Sequence, residues 1–230
     1  MIEKILPAGV TAVDTFDDLP DATLLPAEES IVATAVEKRR REFTTARHCA
    51  RAGLARLGRP AAPILSGRLA EPLWPAGVVG SITHCAGYRG VVVADAATIT
   101  TVGIDAEPDE PLTPGVLESV ALPDERVHIA ELLQARPEIR WDRMLFCAKE
   151  AVYKSWYPLA QRWLDFDDAV ITLRPGSAGA LTGDFDARLL VVGPRVAGHR
   201  LTGFTGRWLV EQGLILTAIV LPCHRRATHS

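Results

Sequence analysis

The chain has 230 residues, enough to bury a substantial core in one large domain or two small lobes without a disulfide or structural metal. Hydrophobic residues make up 48%, charged residues 23%, and the formal net charge is −3, an ordinary globular balance that argues against nucleic acid as a partner. The first residues lack the apolar run of a signal peptide, no stretch approaches a membrane span, and the cysteines are widely scattered. We therefore expect a cytoplasmic protein with reduced thiols and no membrane partner.

The first half of the chain predicts a helix followed by strands. A short strand is expected at residues 10–13, and Pro26 begins a helical region that ends near Leu57, before Gly58 and Pro60. The proline- and glycine-spotted segment 61–77 is predicted to be a surface loop. β-branched residues bounded by glycine or proline then predict strands at 78–83, 89–95 and 101–106.

Three prolines in the segment 108–114 suit neither a helix nor a strand interior, so we place a lobe boundary there. The N-terminal lobe would span 1–108 and the C-terminal lobe 109–230. Helices are predicted to resume at Pro123 and Trp141, with strands at 169–173, 187–192, 202–211 and 214–221. Gly213 predicts a tight hairpin between the last two strands, because glycine takes the positive φ that such turns need. The fold class is α+β (α/β).

The strand T-V-G-I-D-A-E at 101–107 carries two acids on one face, because side chains alternate with a period of two. Asp105 and Glu107 would repel each other there, and a hard cation such as Mg²⁺ would relieve the repulsion. The alternative is a strand that simply ends in solvent with two acidic residues. The pair alone leaves both interpretations open.

The helix predicted from Trp141 to Tyr157 has a core stripe at helical spacing, formed by Trp141, Leu145, Ala148, Val152 and Trp156. A second line, also largely apolar, contains Glu150. Because a buried unpaired carboxylate is expensive, Glu150 needs a cation or a strong hydrogen-bond partner. An exposed salt bridge to Lys154 would satisfy it. The alternative is that Lys149 and Lys154 hold phosphates while Glu150 holds a metal.

Basic residues of the first helix offer a further phosphate-binding surface. Arg40, Arg47 and Arg51 share one stripe, and Arg39 lies on a neighbouring face, although such a run is equally typical of a solvated helix surface. His84 ends a strand of small and polar residues, where the backbone can approach a ligand.

Other common sites are disfavoured by their spacing. His48-Cys49 and His84-Cys85 lack zinc-ligand spacing, and neither a P-loop nor a G-x-G-x-x-G fingerprint is present.

Three motifs together identify a family resemblance. The segments V-G-S-I-T-H at 79–84, V-G-I-D-A-E-P at 102–108 and F-C-A-K-E-A-V-Y-K at 146–154 resemble the phosphopantetheinyl transferase superfamily, closest to its Sfp/EntD-like branch and to actinobacterial members. The segment R-R-R-E-F-T-T-A-R-H-C-A-R at 39–51 and the C-terminal hairpin also fit, so the resemblance covers nearly the whole chain.

The resemblance implies a monomer of two similar lobes related by a pseudo-twofold, with coenzyme A in the cleft between them. It implies transfer of 4′-phosphopantetheine from coenzyme A to a serine of an apo acyl or peptidyl carrier protein, giving the holo carrier and 3′,5′-ADP. The reaction would depend on Mg²⁺, with Mn²⁺ as a possible substitute. The pathway served by the carrier, whether fatty acid, polyketide, nonribosomal peptide or siderophore synthesis, stays open.

The resemblance also implies roles for individual residues near the metal. Asp105, Glu107 and Glu150 would bind Mg²⁺, and Glu150 would take the proton of the carrier serine, directly or through water. Lys154 would stabilise the transferring phosphate and the leaving nucleotide. His84 would hydrogen-bond a phosphate, with Thr83 nearby.

At the nucleotide end, the resemblance implies contacts from Arg39 and Arg47. Helical spacing instead favours Arg40 beside Arg47, and a kink in the helix would explain the difference. Similar proteins often carry a lysine at the position of Ser66, and Arg68 could reach the same phosphate instead.

Two rival functions remain from the residues themselves. One is another Mg²⁺-dependent phosphoester hydrolase, and the other is a non-catalytic protein that binds coenzyme A or a carrier.

Overall fold

The computed structural model describes residues 1–223. After a 3₁₀ turn at Ile2–Ile5, the N-terminal part contains β1 (Val10–Thr15), α1 (Pro26–Glu29), α2 (Glu37–Arg56), β2 (Leu65–Ser66), β3 (Pro72–Leu73), β4 (Val78–Cys85), β5 (Tyr88–Asp95) and β6 (Ile99–Pro108). The C-terminal part contains α3 (Val116–Val120), α4 (Pro123–Ala135), α5 (Trp141–Ala160), β7 (Ala169–Pro175), β8 (Thr182–Leu189), β9 (Arg195–Val196), β10 (His199–Arg200), β11 (Gly203–Glu211) and β12 (Leu214–Pro222). This mixture of helices and strands confirms the α+β fold class.

Three of the predicted segments differ from the structure. The segment 61–77, predicted to be a loop, contains the short strands β2 and β3, which pair with each other. The helical region expected from Pro26 to Leu57 is interrupted around residues 33–36, so that α1 and α2 are separate helices. The strand expected at 187–192 was wrong, because β8 begins at Thr182 and ends at Leu189. In β8 the buried residues Phe185 and Ala187 alternate with the polar residues Asp184, Asp186 and Arg188, so its first half lacks the apolar run on which the prediction at 187–192 rested.

The first sheet is antiparallel in the order β1-β5-β4, and β5 is its central strand. Val91 and Val93 of β5 pack against α2, whereas Val92 and Ala94 pack on the opposite face with residues of β6 and β12. Both faces of β5 are therefore covered, which explains why its sequence is almost continuously apolar.

The second sheet is antiparallel in the order β6-β12-β11-β8-β7. Helix α5 covers one face of it, and all five residues of the predicted core stripe are buried there. The ring of Trp141 meets Trp208 of β11 edge-on, with centroids 5.4 Å apart. Strands β11 and β12 are joined through Gln212 and Gly213, which have φ of 52° and 74°, as the predicted tight hairpin requires.

Strand β6 joins the two sheets. Its backbone pairs along its length with β12, and its other side meets β4 through hydroxyl groups. The Ile104 and Ala106 N–H groups donate to Ser81 Oγ and Thr83 Oγ1, both at 3.1 Å. Strand β6 precedes the lobe boundary predicted at residue 108, yet its backbone hydrogen bonds are with a strand of the second sheet. That boundary and the pseudo-twofold stay predictions.

Within residues 1–223 the structure has no helix both long enough and apolar enough to cross a lipid bilayer. The four cysteines, Cys49, Cys85, Cys147 and Cys223, are free thiols.

Candidate active site

The site forms where α5 packs closely on β6. A Cβ at Gly103 of β6 would lie 2.2 Å from both Ala151 O and Ser155 Oγ of α5, so only glycine permits this approach. The short separation brings Glu150 and Lys154 of α5 opposite the end of β6, where the two predicted acids lie.

Asp105 is the most buried acid of the site, with 4% of its surface exposed. Its Oδ1 accepts hydrogen bonds from Lys154 Nζ at 2.6 Å and from Thr83 Oγ1 at 3.0 Å. Its Oδ2 is buried without a hydrogen-bond partner in the described part of the chain. Because buried polar atoms in native proteins are nearly always paired, this oxygen is a candidate ligand atom.

The neighbouring carboxylates are electrostatically coupled to Asp105. Burial, followed by the charge of Asp105, raises the pKa of Glu150, and Lys154 opposes that shift. Burial and Asp105 likewise raise the pKa of Glu107, while Arg143, which donates from Nη1 to Glu107 Oε2 at 2.9 Å, opposes the rise. A cation among these acids would relieve the repulsion that raises their pKa values.

These residues fit a divalent cation that brings further ligands with it. Among residues 1–223, no three histidine, cysteine, aspartate or glutamate side chains converge closely enough to form a complete metal site. Mg²⁺, however, usually binds one or two carboxylates and completes its shell with water and substrate phosphates. The unpaired Asp105 Oδ2 and the two coupled glutamates suit that kind of site better than an all-protein cage.

A basic cluster lies at the end of β4. Arg39 Nη1 of α2 lies 2.6 Å from His84 Nε2, and Glu42 Oε2 lies 3.8 Å from His84 Nδ1. Burial and the charge of Arg39 lower the pKa of His84, so the ring is neutral and accepts the hydrogen bond from the guanidinium at Nε2. Helix α2 is continuous from Glu37 to Arg56, so Arg39 reaches β4 without a break in the helix.

Arg47 lies deeper, with 5% of its surface exposed. Its Nε donates to Ile64 O at 2.7 Å, its Nη2 lies 3.4 Å from Ser66 Oγ, and its guanidinium carbon lies 4.0 Å from the Phe43 ring centroid. Burial, followed by the charges of Arg39 and Arg51 and opposed by Glu28, lowers the pKa of Arg47 to about 10. An anion would stabilise this buried charge.

Other basic residues of the predicted stripe have different partners. Arg40 donates to Ala33 O at 3.2 Å, and Arg51 forms an ion pair with the buried Glu28 at 2.7 Å. Arg68 is exposed in the turn between β2 and β3.

The structure does not bring Lys149 to the group around Asp105. Its Nζ lies 2.8 Å from Glu125 Oε2 of α4 and donates to Phe166 O and Ala169 O at 2.6 and 3.1 Å. These contacts use all three ammonium protons, so Lys149 holds α5 against α4 and β7. Thr83 is similarly occupied, because its single hydroxyl proton goes to Asp105.

Two cavities flank Glu150. One of about 450 Å³ lies between β3, β4 and α5 and is lined by Trp74, Tyr153, Lys154 and Tyr157, among others. The other, of about 110 Å³, is lined by Tyr153, Trp163 and Phe166. The Tyr153 and Trp163 rings lie 4.9 Å apart between centroids. The larger volume suits a flexible small-molecule arm.

Sequence reasoning missed Arg143. It lies seven residues before Glu150 and therefore on the same helix face, which is a signal that the spacing contained. Trp163 was also missed, because it follows the end of α5 and carries no periodic signal.

Two family models match consecutive parts of the chain. The family described as 4′-phosphopantetheinyl transferase N-terminal domain matches residues 27–94, and the 4′-phosphopantetheinyl transferase superfamily matches residues 101–201. The 4′-phosphopantetheinyl transferase PptT of Mycobacterium tuberculosis is 50% identical over 225 residues, covering 96% of this chain and 98% of that protein.

Two further relatives show the same degree of similarity. The 4′-phosphopantetheinyl transferase Svp of Streptomyces mobaraensis is 51% identical over 224 residues, covering 96% of this chain and 89% of that protein. The 4′-phosphopantetheinyl transferase Npt of Nocardia iowensis is 50% identical over 222 residues, covering 95% of this chain and 99% of that protein. With near-complete coverage in all three cases, the chain belongs to the 4′-phosphopantetheinyl transferase superfamily.

Proposed function

We propose that the protein transfers 4′-phosphopantetheine from coenzyme A to a serine of an apo acyl or peptidyl carrier protein with Mg²⁺ held by Asp105, Glu107 and Glu150. The products are the holo carrier and 3′,5′-ADP. The observation that carries the metal assignment is the unpaired, buried Asp105 Oδ2 beside two carboxylates with raised pKa values. When bound, the cation would neutralise the carboxylates and the pyrophosphate of coenzyme A.

Glu150 and Lys154 perform the proton and charge chemistry. We assign to Glu150, which lies on α5 one turn before Lys154, the removal of the proton of the serine hydroxyl, directly or through water. The carboxylates, Asp105 foremost, raise the pKa of Lys154 despite its burial, so its ammonium stays charged and donates to the transferring phosphate. Phosphoryl chemistry asks the protein mainly for such positioning and charge neutralisation.

Arg39, His84 and Arg47 hold the nucleotide end of coenzyme A. Arg39 and His84 already lie within hydrogen-bond distance of each other, and one phosphate can bridge them. Arg47 meets a second anionic group, with Ser66 beside it in place of a lysine and Arg68 able to approach from the neighbouring turn. Thr83 contributes indirectly by holding Asp105.

Intact-protein mass spectrometry tests the reaction directly. Apo acyl and peptidyl carrier proteins are incubated with the protein and coenzyme A, in EDTA, Mg²⁺ or Mn²⁺. We expect a metal-dependent mass gain of one phosphopantetheine on the carrier. Release of phosphopantetheine without a carrier would instead support a hydrolase. Tight coenzyme A binding without modification of several unrelated carriers would support a non-catalytic binding protein.

The base is tested by Glu150→Gln, with Glu131→Gln on the exposed face of α4 as the matched control. We expect Glu150→Gln to fold but to lose about 10²- to 10⁴-fold in transfer rate, the usual contribution of a general base. Glu131→Gln should transfer at the wild-type rate. Near-normal turnover by folded Glu150→Gln would remove Glu150 from the mechanism.

We also propose that the enzyme acts as a monomer in the cytoplasm, where its four free thiols stay reduced. Light scattering on the purified protein with and without coenzyme A tests the monomer, and a stable dimer in both states would contradict it.

A further inference from the structure

Arg143 lies in the first turn of α5 and makes three contacts around the end of β6. Its Nη1 donates to Glu107 Oε2 at 2.9 Å, its Nε to Glu110 O at 3.1 Å and its Nη2 to Pro111 O at 2.9 Å. The planar guanidinium is thus fixed between a carboxylate and two backbone carbonyls. Such a fork has one orientation, unlike a lysine ammonium at the end of a flexible chain.

Arg143 continues a line of charges along α5. Arg143, Glu150 and Lys154 are spaced at i, i+7 and i+11, so they lie along one side of the helix. Lys154 contacts Asp105 and Arg143 contacts Glu107, so each acid of β6 has a cation partner from α5. Glu150 lies between these two cations along the helix.

The contact from Arg143 engages only one oxygen of Glu107. Oε2 accepts the hydrogen bond, and Oε1 remains outside that contact. Glu107 is half-buried at the end of a strand and would otherwise have rotational freedom. A carboxylate with one oxygen held by a fixed donor presents the other oxygen in a defined direction, and partners that orient a ligand side chain in this way strongly affect metal affinity.

We propose that Arg143 is a positioning residue that orients Glu107 Oε1 toward the divalent cation. This inference rests on the proposed function, because it takes Glu107 as a metal ligand. Arg143 touches neither coenzyme A nor the reacting atoms in this assignment. Its effect on the metal would run through Glu107, whereas its contacts with Glu110 O and Pro111 O would only stabilise the linker at 110–111.

Metal binding gives a direct readout apart from turnover. The affinity for Mn²⁺ is measured in the presence of coenzyme A from the electron paramagnetic resonance signal of free Mn²⁺. We expect Arg143→Gln to weaken Mn²⁺ binding by about 10- to 100-fold. Arg143→Lys should fall between wild type and Arg143→Gln, because it keeps the charge but loses the fork. The control Arg174→Gln, which removes a surface ion pair with Asp186, should match wild type.

A double-mutant cycle with Glu107→Gln separates positioning from folding. If Arg143 acts through Glu107, Arg143→Gln should cost little further Mn²⁺ affinity in the Glu107→Gln background. If it only supports the linker, its effect should be equal in both backgrounds. Thermal unfolding without metal identifies any variant that does not fold, and Arg143→Lys then supplies the comparison in place of Arg143→Gln.

The outcomes distinguish this proposal from the proposed function. Wild-type Mn²⁺ affinity in Arg143→Gln, or equal effects in both backgrounds, would overturn the role of Arg143 while leaving metal-dependent transfer intact. Transfer by the wild type in EDTA, with no Mn²⁺ binding, would overturn both. Loss of affinity in Arg143→Gln that vanishes in the Glu107→Gln background would support the positioning role.

Discussion

The contact between Arg39 and His84 places a permanent cation against a neutral imidazole. Arg39 Nη1 and His84 Nε2 lie 2.6 Å apart, and burial together with the Arg39 charge lowers the pKa of His84. In the free protein the imidazole therefore resists protonation near neutral pH. A phosphate between the two side chains would reverse that preference, because an anion favours the charged form of histidine.

We expect coenzyme A binding to take up a proton at His84. The pKa of His84 would be higher in the complex than in the free protein, so affinity should increase as pH falls between these two values, by about tenfold at most per pH unit. Calorimetric titration in two buffers with different ionisation enthalpies measures the proton uptake. His84→Gln should abolish it, and His48→Gln, at an exposed position on α2, should not. Equal uptake in wild type and His84→Gln would contradict this prediction.

The lysines beside Glu150 show where residue-level prediction reached its limit. The sequence correctly marked Glu150 as a carboxylate on a largely buried helix, but it could not decide which neighbouring lysine faces the site. Lys149 lies toward Glu125 of α4, whereas Lys154 lies against Asp105. The partner that decides each case comes from a distant part of the chain. The spacing of Arg143 from Glu150 was visible in the sequence, but its partner Glu107 on β6 was not.

At the scale of elements, the site depends on the close contact of α5 with β6. The helix lies so near the strand that Gly103 has no room for a side chain, and Thr101 Oγ1 donates to Ser155 O at 3.0 Å in the same contact. The distance between Glu150 and Asp105 is thus set by a glycine two positions before the acid, which periodicity alone does not reveal.

Gly103→Ala should therefore damage both stability and activity. The added Cβ would overlap Ala151 O and Ser155 Oγ, which we expect to cost about 1–3 kcal/mol of the free energy of unfolding. A displacement of α5 by about 1 Å should lower kcat/KM by about 10²-fold. Chemical denaturation and the carrier-modification assay measure the two effects. Thr100→Ala on the same strand should leave activity unchanged, and full activity in Gly103→Ala would contradict the close-packing argument.

At the scale of the whole molecule, β6 is shared by both sheets. The motifs and the strand positions predicted that β6 exists. They did not predict that its backbone pairs with β12, or that hydroxyl groups of β4 accept hydrogen bonds from its other edge. Side-chain hydrogen bonds between sheets leave no pattern in the sequence, because serine and threonine are common in strands and loops alike. The strand content of each half was predictable, and the way in which the sheets share β6 was not.

This sharing predicts that the two sheets unfold together. Ser81→Ala combined with Thr83→Val would leave the buried Ile104 and Ala106 N–H groups without their acceptors, at about 1–3 kcal/mol each. Scanning calorimetry should show one transition for the wild type and a lower, broader or divided transition for the double variant. Ser81→Ala alone leaves the Thr83 contact to Asp105 in place, so it should lower the transition temperature without abolishing transfer. An unchanged transition in the double variant would show that these hydroxyls do not couple the sheets.

The hydroxyl contacts also protect the strand that carries the acids. Strand β6 is the outermost strand of its sheet, and its sequence is rich in the residues that favour β-structure. An outermost strand with free N–H groups is a template on which a second chain can add. Ser81 and Thr83 cap two of those groups from within the same molecule. The active-site acids thus lie on an outermost strand that contacts within the same molecule shield from self-association.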